Sequence, residues 1–316
     1  MAADDADRVA LRDRLALAVR EAGEVALRTF RRQPANWIKG VSSPVSEADI
    51  AVDALLRERL LSIRDAGWLS EETEDDPARL RREEVWVVDP IDGTRAYLAG
   101  LPDWVVAAAL VRAGRPLVAA LYAPVSDELF LSVAGKGATL NGAPIAASAG
   151  HHMAGATFSG AKRRLDSLAA IEPRIATAPR IPSLALRIAR VATGALDGTF
   201  VAPNSRDWDL AAADLLVHEA GGLITTLTGE SLIYNRPDPV HGALVAAGRA
   251  RHARLLDLIR GACRIRMIVR GVESPTVWQA RFLGVVSPGD EGRKPCRKRL
   301  NRDNCCISCS AANSRM

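Results

Sequence analysis

Between Trp86 and Thr94 the chain reads Trp-Val-Val-Asp-Pro-Ile-Asp-Gly-Thr, placing two carboxylates, Asp89 and Asp92, three residues apart after an apolar run. Trp86, Val87 and Val88 have the character of a buried strand. Pro90 cannot donate to a sheet ladder and is expected to end it. Gly93 permits a tight turn with positive φ, and Thr94 suits the first residue of a new element. Two acids on one turn can aim at a single point. Their repulsion makes a cation the natural occupant, and hard oxygen ligands with few histidines favour Mg²⁺ over zinc. The competing reading is a solvated turn, where Asp-Pro and Asp-Gly are common.

Three further places present acids in similar settings. Asp49 stands in the first turn of an expected helix, Glu71 and Glu72 close a short apolar run, and Asp209 begins a helix within Arg206-Asp-Trp-Asp-Leu-Ala-Ala-Ala213. Each has a plainer reading as well. Asp49 and Asp209 can simply cap their helices, and the glutamates can open the charged loop after them.

The elements that must hold these acids are legible from periodicity. Residues 8–32 repeat apolar positions at Leu11, Leu15, Val19, Ala22, Ala26 and Phe30, an amphipathic helix with a basic end. A loop, Lys39-Gly-Val-Ser-Ser-Pro44, leads to Ser46-Glu-Ala-Asp49, a capping box opening a helix through Leu61. Residues 68–73 read as a short strand and 74–84 as a charged loop. Apolar runs at 104–111, 116–122 and 129–133 predict an antiparallel meander, and Leu140-Asn-Gly-Ala143 predicts a hairpin turn. Beyond an apolar patch at 153–160, helices are expected at 163–171, 183–194, Trp208–Ala220 (ended by Gly221-Gly222) and Arg251–Arg260, with a strand at 199–201.

Composition restricts the class. With 316 residues the chain can bury a full core, and its 48% hydrophobic and 25% charged content is that of a globular protein. No apolar run approaches the roughly 18–20 residues that span a bilayer, so no membrane role is expected. Asp4, Asp5 and Asp7 near the start do not suit a secretion signal, and a cytoplasmic location is expected. The net charge of +5 is unevenly distributed: residues 1–262 carry 31 basic and 33 acidic residues, residues 263–316 carry 11 and 4. The body therefore needs no anionic partner, and nucleic acid is not expected. All five cysteines, Cys263, Cys296, Cys305, Cys306 and Cys309, lie in the last segment. Their spacing matches no standard paired Cys-x-x-Cys zinc site. Residues 263–316 read as an atypical, disordered basic extension without function, of the kind a shifted reading frame yields. Deleting them should leave activity intact.

Taken together, the acids resemble the lithium-sensitive, magnesium-dependent phosphomonoesterase superfamily of inositol monophosphatases and bisphosphate nucleotidases. The first motif is Asp89 to Thr94. The second is Trp208-Asp209 followed by small residues and Glu219-Ala-Gly-Gly222. An upstream Glu71-Glu72 pair and a Ser-Pro-Val-x-x-x-Asp element, Ser43 to Asp49, complete the pattern, in order over residues 39–222. The resemblance implies that Glu71, Asp89, Asp92, Asp209 and the Ile91 carbonyl hold two or three Mg²⁺ ions. It also implies catalytic roles for Asp49 and Thr94, which hold and deprotonate the attacking water, and for Glu71. The amides of Gly93 and Thr94 would hold phosphate oxygens if a helix starts there. The substrate is expected to be a phosphorylated small molecule, with Asp209 also in contact with it, and the protein a monomer or homodimer.

Two departures turn the expected substrate towards nucleotides. Where inositol monophosphatases follow Asp-Gly-Thr with Thr-Asn-Phe, this chain has Arg95-Ala-Tyr97, which looks more like the CysQ-like 3′(2′),5′-bisphosphate nucleotidase branch. The acid that contacts inositol hydroxyls has no counterpart in Phe200-Val-Ala-Pro-Asn-Ser205. The leading expectation is hydrolysis of 3′-phosphoadenosine 5′-phosphate to AMP and phosphate. The alternatives are an inositol-1-monophosphatase, a broad sugar-phosphate phosphatase that includes fructose 1,6-bisphosphate, and a non-catalytic metal or nucleotide sensor. A sensor would be expected to lack a ligand, and none is missing. A second phosphate needs further cations, for which Arg95, Lys162, Arg163, Arg164 and Arg206 are candidates. Lys162-Arg-Arg164 reads equally as a solvated helix start. Ser183 can contact base or sugar, or cap the helix it begins. His218 is expected to be packed, and Trp86 and Trp208 to back the acids.

The expected architecture is an α/β (α+β layered) fold with alternating helix and sheet layers of the sugar phosphatase type. Residues 1–150 would form an N-terminal α+β subdomain with most metal ligands, and 151–262 a C-terminal α/β subdomain with the second motif.

Overall fold

A computed structural model describes residues 2–32, 36–39 and 43–270. Seven α-helices occur among them: α1 (Ala2–Thr29), α2 (Glu47–Ile63), α3 (Thr94–Leu98), α4 (Lys162–Ala169), α5 (Leu184–Ala192), α6 (Asp207–Glu219) and α7 (Arg249–Arg270). Residues 271–316 lie outside the described residues, and with them most of the expectations for the tail. The helix expected to end at Arg260 continues to Arg270.

The core is a seven-stranded sheet whose strands run in chain order from Gly67–Ser70 through Glu84–Asp92, Val105–Arg112, Arg115–Ala123, Glu128–Val133 and Ala138–Leu140 to Ala143–Pro144. The first pair is parallel and the others antiparallel, as the meander predicts. The final hairpin turns at Asn141 and Gly142, both with positive φ, the geometry an Asn-Gly turn supplies. Both faces of this sheet are buried, which explains its near-continuous apolar runs. Trp86, Val88, Val106, Ala108 and Leu110 pack with α1 and α2 residues such as Leu15, Val19, Leu56 and Leu60. Val85, Val87, Val105, Ala107 and Ala109 pack with α5 and α6. The period-2 alternation thus directs neighbouring strand residues into different cores.

A five-stranded sheet, in the order Ala176–Thr177, Thr157–Ser159, Gly198–Val201, Leu244–Gly248, Gly222–Thr226, covers the far side of α5 and α6. On its outer face Phe158, Val245 and Ala247 meet Leu165 and Leu168 of α4 and Leu255, Leu256 and Ile259 of α7. The result is the layered α/β architecture expected: helices, sheet, helices, sheet, helices.

Three local expectations need correction. The strand does not stop at Pro90 but runs from Glu84 to Asp92, with a register shift between Asp89 and Asp92. Asp89 faces Ala107 and Asp92 faces Val105, so one extra residue is looped out as a bulge, a position where a proline's missing N–H costs little. Lys39, Ser43 and Pro44, read as loop, belong to an antiparallel pair, Asn36–Lys39 with Ser43–Ser46. The charged loop 74–84 contains a 3₁₀ turn, Pro77–Arg81, capped by Asp76 and anchored by buried Arg79, which pairs with Asp75.

Candidate metal-dependent active site

The acids converge through four elements. Glu71 comes directly after the Gly67–Ser70 strand, its N–H donating to the Val88 carbonyl (3.3 Å) of the neighbouring strand that carries Asp89. Asp53 of α2 accepts the Ser70 and Thr73 hydroxyls and so ties this strand end down from behind. Asp209 occupies the first turn of α6 and accepts the Arg206 N–H (2.6 Å). The N-terminus of α6 is fixed by a short antiparallel pair, Ser205–Arg206 with Val240–His241, and by buried Asp207, which accepts His241 Nε2 (2.7 Å) and the Asn235 N–H (2.6 Å). One carboxylate oxygen each from Glu71, Asp89 and Asp209 then lie within 4.8 Å of one another.

Asp92 ends the bulged strand, and Gly93 turns the chain at φ +100° into α3. A Cβ at Gly93 would stand 3.0 Å from the Asp103 carbonyl and 3.2 Å from Ser183 Cβ, so this position requires glycine on both counts. Asp92 Oδ2 accepts the Ser183 hydroxyl (2.5 Å) and the Ala185 N–H (2.6 Å) at the start of α5. Asp49 forms the expected capping box with Ser46: its Oδ2 accepts the Ser46 N–H (2.7 Å) and hydroxyl (2.5 Å). The Thr94 hydroxyl lies 3.0 Å from the Ile91 carbonyl and 3.3 Å from Asp49 Oδ1.

Electrostatics mark the cluster as incomplete by itself. Both oxygens of Asp89 are buried with no hydrogen-bond partner, an arrangement costly for a carboxylate alone. Burial, followed by repulsion from Glu71, Asp92 and Asp209, drives the Asp89 carboxyl far above the usual carboxylate range. Burial and then Asp209 push Glu71 up to about 8, and burial and then Asp92 push Asp209 up to about 7. Asp49 and Asp92 are raised by burial, opposed by their hydrogen bonds to Ser46 and Ser183. An oxygen-only donor set with orphaned buried oxygens fits a hard divalent cation such as Mg²⁺.

Glu71, Asp89, Asp92, Gly93, Thr94, Arg95 and Asp209 line one cavity of about 310 Å³ together with Arg180 and Pro182. Ile91 sits just beneath it, buried, its carbonyl engaged by Thr94. A helix does begin at Thr94, as the expected phosphate contact requires. Lys162 and Arg163 do not line this cavity. Lys162 is an exposed first-turn residue of α4 paired with Asp166 (3.0 Å), in line with the solvated-helix reading. Ser183 is fully buried and caps α5, accepting the Leu186 N–H (3.0 Å), so it faces Asp92 and not a ligand. Arg206 is exposed beside Trp208 (5.8 Å to the ring) and does not line the cavity. Trp86 is buried in the α1–α2 core, its indole N–H donating to the Arg64 carbonyl, and half-buried Trp208 packs against the α5–α6 core.

Two side chains depart from expectation. Tyr97, part of the pattern that pointed to nucleotides, is buried: it packs against Phe30 and Trp104 and donates to the Ala26 carbonyl (2.7 Å). No substrate reaches it, because the apolar face of a five-residue helix points inwards. His218 is exposed, not packed, and lines a second cavity of about 330 Å³ with Arg115, Asp214 and apolar Leu215, Leu223 and Ile224. Burial pushes Asp214 there up to about 6, and it accepts the Tyr234 hydroxyl (2.9 Å).

Two arginines escaped the sequence reading. Arg180 is exposed at the cavity wall. Arg187 is buried beneath it, donating to the Ile181 carbonyl (2.8 Å) and Thr199 Oγ1 (3.2 Å), and burial lowers its guanidinium to about 10. No motif surrounds either; only an arginine shortly before a helix start was visible.

The sequence model of the inositol monophosphatase family matches residues 10–262. The inositol-1-monophosphatase of Rhizobium meliloti is 33% identical over 202 residues, 61% of this chain and 75% of that protein. The Nus factor SuhB of Escherichia coli is 30% identical over 223 residues, 67% of this chain and 83% of that protein. Among solved structures, the extragenic suppressor protein suhB of Bartonella henselae superposes with a TM-score of 0.70 at 27% identity, over 79% of this chain and 98% of that one.

Proposed function

Given that the chain belongs to the inositol monophosphatase family, a family of phosphoric monoester hydrolases, we propose that it is a Mg²⁺-dependent phosphatase of inositol-1-phosphate and related sugar phosphates. The observation that carries the reaction is the convergence of Glu71, Asp89 and Asp209 around one point, with Asp89 bare of any protein donor. The substrate reading moves from the nucleotide expected from sequence to the inositol phosphate held as its alternative. Two things support this: the relatives named inositol-1-monophosphatase, and the burial of Tyr97, which removes half of the nucleotide pattern.

Glu71, Asp89, Asp92, Asp209 and the Ile91 carbonyl would hold the cations. Bound Mg²⁺ supplies charge neutralisation for a phosphate dianion and lowers the pKa of water. The chain's own residues do the rest. Asp49 accepts from the Thr94 hydroxyl, and Thr94 in turn accepts from a water placed beside it, orienting that water towards phosphorus. The Ile91 carbonyl shares the Thr94 proton with Asp49. The Gly93 and Thr94 amides, at the start of α3, would donate to the phosphate oxygens.

A second reading, hydrolysis of 3′(2′),5′-bisphosphonucleosides, keeps two observations in its favour. Arg95 and Arg180 line the cavity, while residues 200–205 offer no acid for inositol hydroxyls. Phosphate release from inositol 1-phosphate and from 3′-phosphoadenosine 5′-phosphate, with Mg²⁺ and with or without lithium, tests both. A preference for the nucleotide overturns the leading reading, and no release from either removes the phosphatase assignment of the site.

A further inference from the structure

Asp92 and Ser183 lie 91 positions apart in sequence, one ending a strand of the seven-stranded sheet and the other opening α5. Their contact has a defined polarity. Ser183 Oγ accepts the Leu186 N–H (3.0 Å), which occupies an oxygen lone pair and leaves the hydroxyl proton directed at Asp92 Oδ2 (2.5 Å). The Ala185 N–H reaches the same oxygen (2.6 Å). Both of these donors meet Oδ2, and the Leu184 N–H adds a further backbone hydrogen bond to the carboxylate. Ser183 is completely buried, so water does not replace its hydroxyl. The neighbouring Asp89 shows the contrast, with neither oxygen held by a donor.

The geometry points to Ser183 as a positioning residue that turns the Asp92 carboxylate, giving Oδ2 to the start of α5 and leaving Oδ1 to face the cation. This rests on the metal reading of the site. A carboxylate with one oxygen fixed by two donors has lost its rotational freedom before a cation arrives, so less ordering opposes binding. It would present a single oxygen to the cation. The site is thereby completed only when α5 docks against the bulged strand, since the donors and the acceptor come from different layers.

The test is Mg²⁺ binding to the full chain by calorimetry, independent of turnover. Ser183→Gly is the informative variant, because glycine at an N-cap costs a helix only a few tenths of a kcal/mol while the donor to Asp92 is lost. It should bind Mg²⁺ roughly tenfold more weakly while remaining folded without metal. Ser183→Ala should show the same loss of affinity, and Ser183→Thr, which keeps the hydroxyl, should restore it. Native Mg²⁺ affinity in Ser183→Gly or Ser183→Ala would confine Ser183 to helix capping and overturn its role. Absence of Mg²⁺ binding by the native chain would instead overturn the metal reading on which that role rests.

Discussion

The Thr94 hydroxyl lies between the Ile91 carbonyl (3.0 Å) and the Asp49 carboxylate (3.3 Å), joining the turn after the bulged strand to the first turn of α2. Asp49 is in turn held by Ser46, so three residues from three elements fix one hydroxyl at the cavity wall. Thr94→Ala should lower kcat by about 10²-fold or more, and Asp49→Asn comparably, with KM changed only severalfold. Thr94→Ser should retain most activity. Steady-state kinetics at saturating Mg²⁺ check this; a Thr94→Ala enzyme with native kcat would dismiss the pair from catalysis.

Metal dependence should be visible in stability as well as in rate. Glu71 at about 8 and Asp209 at about 7 hold protons that the unfolded chain has already released. Metal-free stability therefore falls as pH rises from about 4 to about 8. Cations require the ionised carboxylates and displace those protons. The rise in unfolding midpoint on adding Mg²⁺ should grow from pH 5.5 to pH 8, and Asp89→Asn should abolish it while the protein stays folded. Thermal melts with and without Mg²⁺ across this range decide the matter, and a shift independent of pH would contradict it.

Arg180 lines the cavity and has no hydrogen-bond or ion-pair partner among the described residues, whereas Lys162 stands on exposed α4 paired with Asp166. Arg180→Gln should raise KM for 3′-phosphoadenosine 5′-phosphate by roughly tenfold and for inositol 1-phosphate by much less, as expected for a charge-assisted contact to a second phosphate. Lys162→Ala should alter neither. Equal effects of Arg180→Gln on both substrates would deny it a part in discrimination.

Asp214 titrates apart from the cluster. Burial raises its carboxyl to about 6, against about 3.9 in an unfolded chain. The native state is therefore the more protonated between these values, and this group's contribution to stability is lost as pH climbs from about 4 through 6. Asp214→Asn, which can still accept from Tyr234, should melt like the native protein at pH 4 and at a higher temperature at pH 7.5. Parallel melting curves at the two pH values would show that Asp214 carries no such penalty.

Much of the fold was written in local pattern. Apolar alternation marked the meander, Asn141-Gly142 its last hairpin, Ser46-Glu-Ala-Asp49 the start of α2, and Gly221-Gly222 the end of α6, because period and turn chemistry act over a few residues. The bulge at Pro90 and Ile91 was missed because a proline ends most ladders. Only the register of the facing Val105–Arg112 strand shows that the extra residue is absorbed. The short strands Ala176–Thr177 and Gly222–Thr226 had no periodicity to read; pairing with neighbours makes them strands.

The site divides in the same way. Residue order put Asp49, Glu71, Asp89, Asp92 and Asp209 in similar settings, and it was their resemblance to the motifs of the inositol monophosphatase family that made them a set. Tertiary structure decided which side chains face the cavity. It turned Tyr97 into the core, left Lys162 in solvent and put Ser183 behind Asp92. It also brought Arg180 to the wall. Side-chain direction depends on which face of an element is covered by distant layers, and that is set by packing between sheets and helices, not by the residues beside each position.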